Sequence, residues 1–328
     1  MTRTMKGILN NPLDRQFSVI LCPDDWEAAD EDYILNADIN LIKKCNPHVG
    51  ITVQPDFYKG ELAKAKQNID YRKEVLTKLF NVFSSARVTE WIKADQVRRV
   101  QVPKRVQDCL YANGWRTFVG LDFGGTDDLF AIATLSIDYQ QRDTMTGRFF
   151  GDLMPWIVES ALERSPNRPL YEQWISQGWL NVSPGDTFDP DFAINALMAL
   201  NVGGVDLVSF GYDPAQSKWP INTLKAWLQT LGIDAMTIQQ MVVPVAQNFV
   251  TFNGLIGELE HMLLTIPEWL QLSESPLWPW MFGNCRIEES GNGNRRVVKS
   301  APTQKVDGVH ALIDALYCFD LSEGRLQE

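Results

Sequence analysis

Between residues 57 and 83, apolar positions recur at helical spacing. Leu62, Ala65, Val75, Leu76, Leu79 and Phe80 fall on the inward faces of two helices that meet near residues 68–70. Before them, residues 16–22 read as a short strand, and the acidic stretch 24–32 and the Asn46-Pro47 region as loop or turn. Residues 87–100 read as a further helix. After Thr117 the rhythm changes to short apolar runs. Residues 118–123, 129–137 and 148–158 are predicted strands, and the tight breaks at 122–128 and 140–147 make them successive antiparallel neighbours. Helices are predicted near 170–177, 192–200 and 217–231. Between the last two, residues 205–212 have the length and bounds of a buried central strand. Residues 242–246 form another short strand and 253–265 a helix. Residues 286–289 and 295–299 flank Ser-Gly-Asn-Gly-Asn at 290–294, a hairpin signal, and 306–321 form a closing helix.

Three antiparallel strands, helix, strand, helix, strand, helices is the order of an RNase H-like α/β domain. The predicted fold is a mixed sheet flanked by helices, preceded by a smaller, mostly helical region. The division falls at residues 1–115 and 116–328, on pattern and charge alone, because no Gly/Ser- or Pro-rich linker separates the two. Residues 1–116 carry 18 Lys and Arg against 15 Asp and Glu, whereas 117–328 carry 12 against 26, out of a net charge of −11. The second part repels DNA on average, so work on DNA there needs a local basic patch or metal ions.

The 328 residues are 45% hydrophobic and 22% charged, an ordinary globular composition that excludes disorder as the main state. No apolar run approaches the ~18 residues of a membrane span, and no apolar core follows the start, so neither a membrane protein nor a secreted one is expected. Cys22, Cys45, Cys109, Cys285 and Cys318 are far apart without a Cys-x-x-Cys pair, which points to free thiols in a reducing compartment.

The candidate chemistry sits at element ends. Asp122 closes the first strand, Asp213 closes the 205–212 strand and Asp307 opens the final helix. Strand ends at one sheet edge converge, and three carboxylates together are costly without cations. Two Mg²⁺ or Mn²⁺ ions ~3.5–4 Å apart would neutralise them and clamp both oxygens of a phosphodiester displacement. Plainer readings stand beside this one. Asp122 can be a turn former before Gly-Gly, Asp213 an Asx turn or helix cap, and Asp307 a carboxylate favoured by the helix dipole. Asp127 and Asp128 read first as turn residues, with Asp128 a possible further ligand. Asp314, seven residues after Asp307, shares its helix face with no role decided. Arg286, Arg295, Arg296, Lys299 and Lys305 concentrate five of the 12 cations of the acidic part within twenty positions. A cationic hairpin can track a DNA backbone, though a solvated hairpin explains it as well. Lys299 is the best single candidate for a phosphate contact. His310 reads as a packing residue near the site rather than a base, and the 11 tryptophans as core.

These residues resemble a known family. Gly-Leu-Asp-Phe-Gly-Gly-Thr-Asp-Asp-Leu-Phe-Ala at 120–131 resembles the first nuclease motif of phage terminase large subunits. Phe-Gly-Tyr-Asp-Pro at 210–214 resembles their second acidic strand end. Lys-Val-Asp-Gly-Val-His-Ala-Leu-Ile-Asp-Ala at 305–315 resembles their closing motif, and 178–185 a segment between. Residues 45–50, 63–68 and 81–92, with Trp91, look like the stretch joining the family's ATPase to its nuclease. The resemblance implies an RNase H-like endonuclease that cuts concatemeric viral DNA in the host cytoplasm, with Asp122, Asp213 and Asp307 as metal ligands. It implies double-stranded DNA, a small terminase subunit and a portal as partners. No Gly-x-x-x-x-Gly-Lys-Ser/Thr motif occurs, so the family's motor half has no counterpart here and a fragment or split-gene product is expected.

Two rivals are set against this reading. Leu-Asp-Phe-Gly-Gly-Thr at 121–126 also resembles the first phosphate loop of actin-like sugar kinases, where an Asp holds Mg²⁺ and glycines admit phosphates. No second Gly-rich phosphate turn follows; Gly203-Gly204 precedes a strand instead. The other rival is a non-catalytic docking module of a packaging machine, against which the three intact carboxylates argue.

Overall fold

A computed structural model describes residues 21–24, 27, 31–67, 69–82, 87–124, 128–140, 147–214, 218–265, 268–290, 293–301 and 304–323. Residues 16–20 of the first predicted strand, Asp127 and the hairpin tip at 291–292 lie outside these. The chain divides into two compact units, Met1–Arg87 with Glu289–Asn294, and Val88–Glu288 with Arg295–Glu328.

The first unit holds α1 (Glu31–Leu35), α2 (Ile39–Cys45), α3 (Pro55–Gln67) and α4 (Ile69–Phe80). Asp38 starts α2 by accepting from the Asn40 and Leu41 amides. Ile34, Leu41, Ile42, Leu62, Ala65, Leu76 and Phe80 form the core between these helices. The two helices predicted over 57–83 are α3 and α4, and α4 stops at Asn81, whose φ of 55° is left-handed. Val82 N–H then reaches back to the Leu76 carbonyl at 3.0 Å, closing the helix end.

The second unit opens within β1 (Arg87–Glu90), followed by α5 (Ala94–Arg99) and β2 (Gln101–Val102). The helix predicted over 87–100 is therefore a helix only in its second half. Its first residues contain the β-branched pair Val88-Thr89 and join a three-stranded sheet, described below, instead. Residues 88–115 sit with this second unit because Ile92, Val97, Val100 and Val106 belong to its core.

Next come β3 (Trp115–Phe123), β4 (Phe130–Asp138), β5 (Phe149–Val158), α6 (Glu159–Arg164), α7 (Arg168–Ser176), β6 (Asn181–Ser183), α8 (Pro190–Val202) and β7 (Leu207–Tyr212). They are followed by α9 (Lys218–Thr230), α10 (Ala235–Met241), β8 (Val242–Pro244), α11 (Phe249–Leu264), β9 (Leu270–Ser273) and α12 (Leu277–Asn284). The described elements end with β10 (Cys285–Glu289), β11 (Arg295–Lys299) and α13 (Asp307–Ser322). The main sheet runs β2-β9-β5-β4-β3-β7-β8, with β6 beside β5; β1, β10 and β11 form the three-stranded sheet in the order β1-β10-β11. The pairs β3–β4 and β4–β5 are antiparallel, as the tight breaks predict, and β7 lies parallel to β3. Strands β4 and β5, mostly apolar, are buried on both faces, the condition under which strands lose their polar alternation. Thr117 and Ser136, opposite one another across β3 and β4, satisfy each other by a 2.8 Å hydroxyl bond.

One contact fixes where α13 lies. Gly120 and Gly211 are register partners on β3 and β7. A Cβ on Gly120 would stand 1.6 Å from the Ala311 carbonyl oxygen, and one on Gly211 would stand 2.5 Å from that of Asp314. The helix backbone is seated directly on two glycines, an approach any side chain would forbid. Gly120→Ala is expected to destabilise the fold by at least ~1–3 kcal/mol, the range of overpacked cores. Gly254→Ala, in α11 with nothing within 4 Å of the added carbon, should instead stabilise by about 0.8–1.0 kcal/mol. Urea denaturation of both variants checks the contrast in sign.

Candidate active site

Side chains alternate along a strand, so Gly120 and Asp122 share the face of β3 that meets α13. Gly211 and Asp213 share the corresponding face at the end of β7. On α13, Asp307, His310, Ala311 and Asp314 lie at three- and four-residue intervals, one face of a helix. The glycine contact therefore brings strand ends and helix start together. Asp307 occupies the first turn of α13, where its charge suits the helix N-terminus. Gly124, just past Asp122, lies against the same group: a Cβ there would be 2.4 Å from Asp128 Cβ and 3.3 Å from Asp307 Oδ1.

The electrostatics of this corner are strained. Asp122 is 9% exposed, and burial, then the charges of Asp307 and Asp213, hold its carboxyl well above the usual range. Burial pushes Asp307 up to about 6, against the pull of Lys299. Asp307 Oδ2 is buried without a hydrogen-bond partner. His310 Nδ1 lies 3.6 Å from Asp122 Oδ2, beyond hydrogen-bond reach. Burial and the Lys299 charge push His310 down to about 4, so it is neutral, with its ring edge-on to Phe252. This fits a packing residue rather than a base.

Asp128 belongs to a different arrangement. Lys305 Nζ lies 2.6 Å and Lys299 Nζ 3.0 Å from its Oδ1. Burial would raise Asp128, but these two ammonium groups outweigh it and hold the carboxyl below its ordinary value. Lys299 also feels Asp307 and Asp122, which keep it charged despite burial. The other hairpin cations are engaged within the fold. Arg295 Nη1 bonds both Glu260 oxygens at 3.0 Å, and Trp91 Nε1 donates to the same carboxylate. Arg296 Nε donates to Glu288 at 2.6 Å and stacks over Phe249. Arg286 Nη1 donates to the Gly283 and Cys285 carbonyls. A phosphate would compete with these partners. The pairing of Lys305 with Asp128 escaped the sequence reading; its one signal was a lysine two residues before Asp307.

The donor set suits a hard divalent cation: carboxylate oxygens only, one of them buried and unpaired. Among the described residues, no three His, Cys, Asp or Glu side chains already close into a ready metal cage. No helix of the described residues is long and apolar enough to cross a membrane.

Antiparallel β3–β5, a parallel β7 beside β3, and a helix crossing them with acids at the shared ends define an RNase H-like domain. The family described as terminase large subunit, endonuclease domain, matches residues 26–323, and the chain belongs to it. The chain is 25% identical over 199 residues to the terminase large subunit of Enterobacteria phage HK97, covering 60% of this chain and 36% of that protein. It is 24% identical over 323 residues to protein YmfN of Escherichia coli (strain K12), covering 93% of this chain and 63% of that one. The chain thus spans less than two thirds of the length of either relative. The crystal structure of the HK97 bacteriophage large terminase matches the fold with a TM-score of 0.60 at 20% identity, over 86% of this chain and 55% of that one.

Lys305 is 10% exposed in its side chain, whereas Arg296 is 39% exposed. Lys305→Gln should therefore cost about 1–3 kcal/mol of stability, and Arg296→Gln under ~1 kcal/mol. Equal losses on denaturation would contradict this account of the lysine pair.

Proposed function

We propose that the chain is a divalent-cation-dependent endonuclease that cuts concatemeric double-stranded DNA during viral genome packaging. The observation that carries this reading is the convergence of Asp122 and Asp307, buried and mutually repelling at the strand ends, with Asp307 Oδ2 left unpaired. Asp122, Asp213 and Asp307 would hold the cations, two Mg²⁺ or Mn²⁺ ions. When bound, these supply neutralising charge and an acidified water for phosphodiester hydrolysis.

The protein's own share is positioning. Asp122 comes from a central strand of the sheet, and the charges of both other acids bear on it. Lys299, 30% exposed in its side chain and 3.0 Å from Asp128, is our candidate cation for a phosphate oxygen. In hydrolysis, the water oxygen bonds to phosphorus and its proton passes to solvent, while the bond to the 3′-oxygen breaks and that oxygen takes a proton from solvent. Neutral, buried His310 is not needed as a base. The −14 net charge of residues 117–328 opposes DNA binding, so recruitment falls to partners, a small terminase subunit and a portal, in the host cytoplasm.

Plasmid cleavage tests the reading. Nicking or linearisation should need Mn²⁺ or Mg²⁺ and stop in EDTA. Asp122→Asn, Asp213→Asn and Asp307→Asn should each lower the rate roughly a thousandfold or more, since several kcal/mol of charge stabilisation is lost. A fully active Asp122→Asn protein would sink the assignment. Binding without chemistry has its own readout. Millimolar Mn²⁺ should raise the melting temperature of the wild type through linkage. In EDTA, Asp122→Asn should melt no lower than wild type, because a repelled buried charge has been removed.

A further inference from the structure

Asp314 is fully buried on α13, two turns beyond Asp307 on the same face. Neither of its carboxylate oxygens has a hydrogen-bond partner. Asp152, equally buried, makes the contrast. Its carboxylate accepts from Arg105 Nε at 2.9 Å, from the Val106 amide at 2.9 Å and from the Leu153 amide at 2.8 Å. A buried carboxylate without donors is costly, and an apolar residue would fill a core position better. Asp152 answers that cost from within the protein; Asp314 does not.

The direction of the side chain is set by its helix. Cα–Cβ bonds tilt toward a helix N-terminus. The Asp314 backbone lies over Gly211, so its carboxylate leans back toward the strand ends. The charges of Asp122 and Asp213 bear on it there. Gln247, between β8 and α11, approaches it from the side, yet Gln247 Nε2 is buried and also makes no hydrogen bond of good geometry. An amide so placed can turn its oxygen to the same ligand.

We propose that Asp314 is a fourth cation-holding carboxylate of the site, lying deeper than the other three, with an oxygen-seeking divalent cation as its ligand. The inference rests on the metal-dependent reading above. It is tested on the whole chain with Mn²⁺ as probe, by calorimetric titration of wild type and Asp314→Asn and by anomalous diffraction from Mn²⁺-soaked wild-type crystals. The expected results are a loss of Mn²⁺ affinity of roughly tenfold or more in the variant and an anomalous peak at bonding distance from Asp314. Unchanged affinity in the folded variant, or peaks that touch Asp122, Asp213 or Asp307 and never Asp314, overturns it while leaving the nuclease reading intact. A wild type that binds no Mn²⁺ overturns both. The diffraction arm needs no variant and decides the matter even if Asp314→Asn does not fold.

Discussion

The seating of a helix backbone on two glycines is the constraint from which the rest of this fold follows. Gly120 and Gly211 face each other across β3 and β7, and α13 lies on both. With side chains there, the helix would have to move off the sheet and carry Asp307 with it. Alternation along the strands then does the rest. The residue two positions past each glycine faces the helix, and in both strands that residue is Asp. Gly308 extends the principle, since a Cβ there would meet Leu153 Cδ1 and Met281 Sδ at 2.8 Å. The start of α13 is thus packed as closely as its middle, and Asp307 has little freedom to turn away.

That closeness has an electrostatic cost, and the protein divides it unevenly. Asp128 is compensated by two lysines. In Asp122, Asp307 and Asp314 burial outweighs whatever lowers the carboxyl. Core carboxylates elsewhere are not treated so: Asp152 has three donors. The same chain can satisfy a buried acid and leaves this group unsatisfied, and that difference separates a site from a core.

Much of this architecture was legible along the chain. The strands at 118–123, 129–137, 148–158 and 205–212 stood out because sheet interiors demand unbroken apolar runs, and because acids and glycines end them. Helices α3 and α4 stood out because one face of each is buried. Other parts depend on partners far away in sequence. Residues 87–90 are extended only because their neighbouring strand begins at Cys285. Helix α12, Leu-Trp-Pro-Trp-Met-Phe-Gly-Asn, is apolar all round and shows no period; its Pro279 sits in the first turn, where no hydrogen bond is lost. The aspartates at element ends were visible as candidates, but their surroundings were not. Sequence alone offers Arg286, Arg295 and Arg296 as a basic arm. Folding hands them to Glu260, Glu288 and the carbonyls that end α12. Charge counted along a chain does not record which charges are already spoken for.

The placement of α13 also bears on the order of events during synthesis. Asp122, Asp213 and Asp307 come from segments roughly 90 positions apart, a strongly non-local assembly of the kind that forms late in folding. Strands β3 and β7 emerge from the ribosome long before the helix that covers them. Until α13 docks, the first two acids stand at a half-built sheet with the third absent. The three acids therefore meet only once α13 has docked on the glycine seat, so their grouping is completed by the last of the described helices.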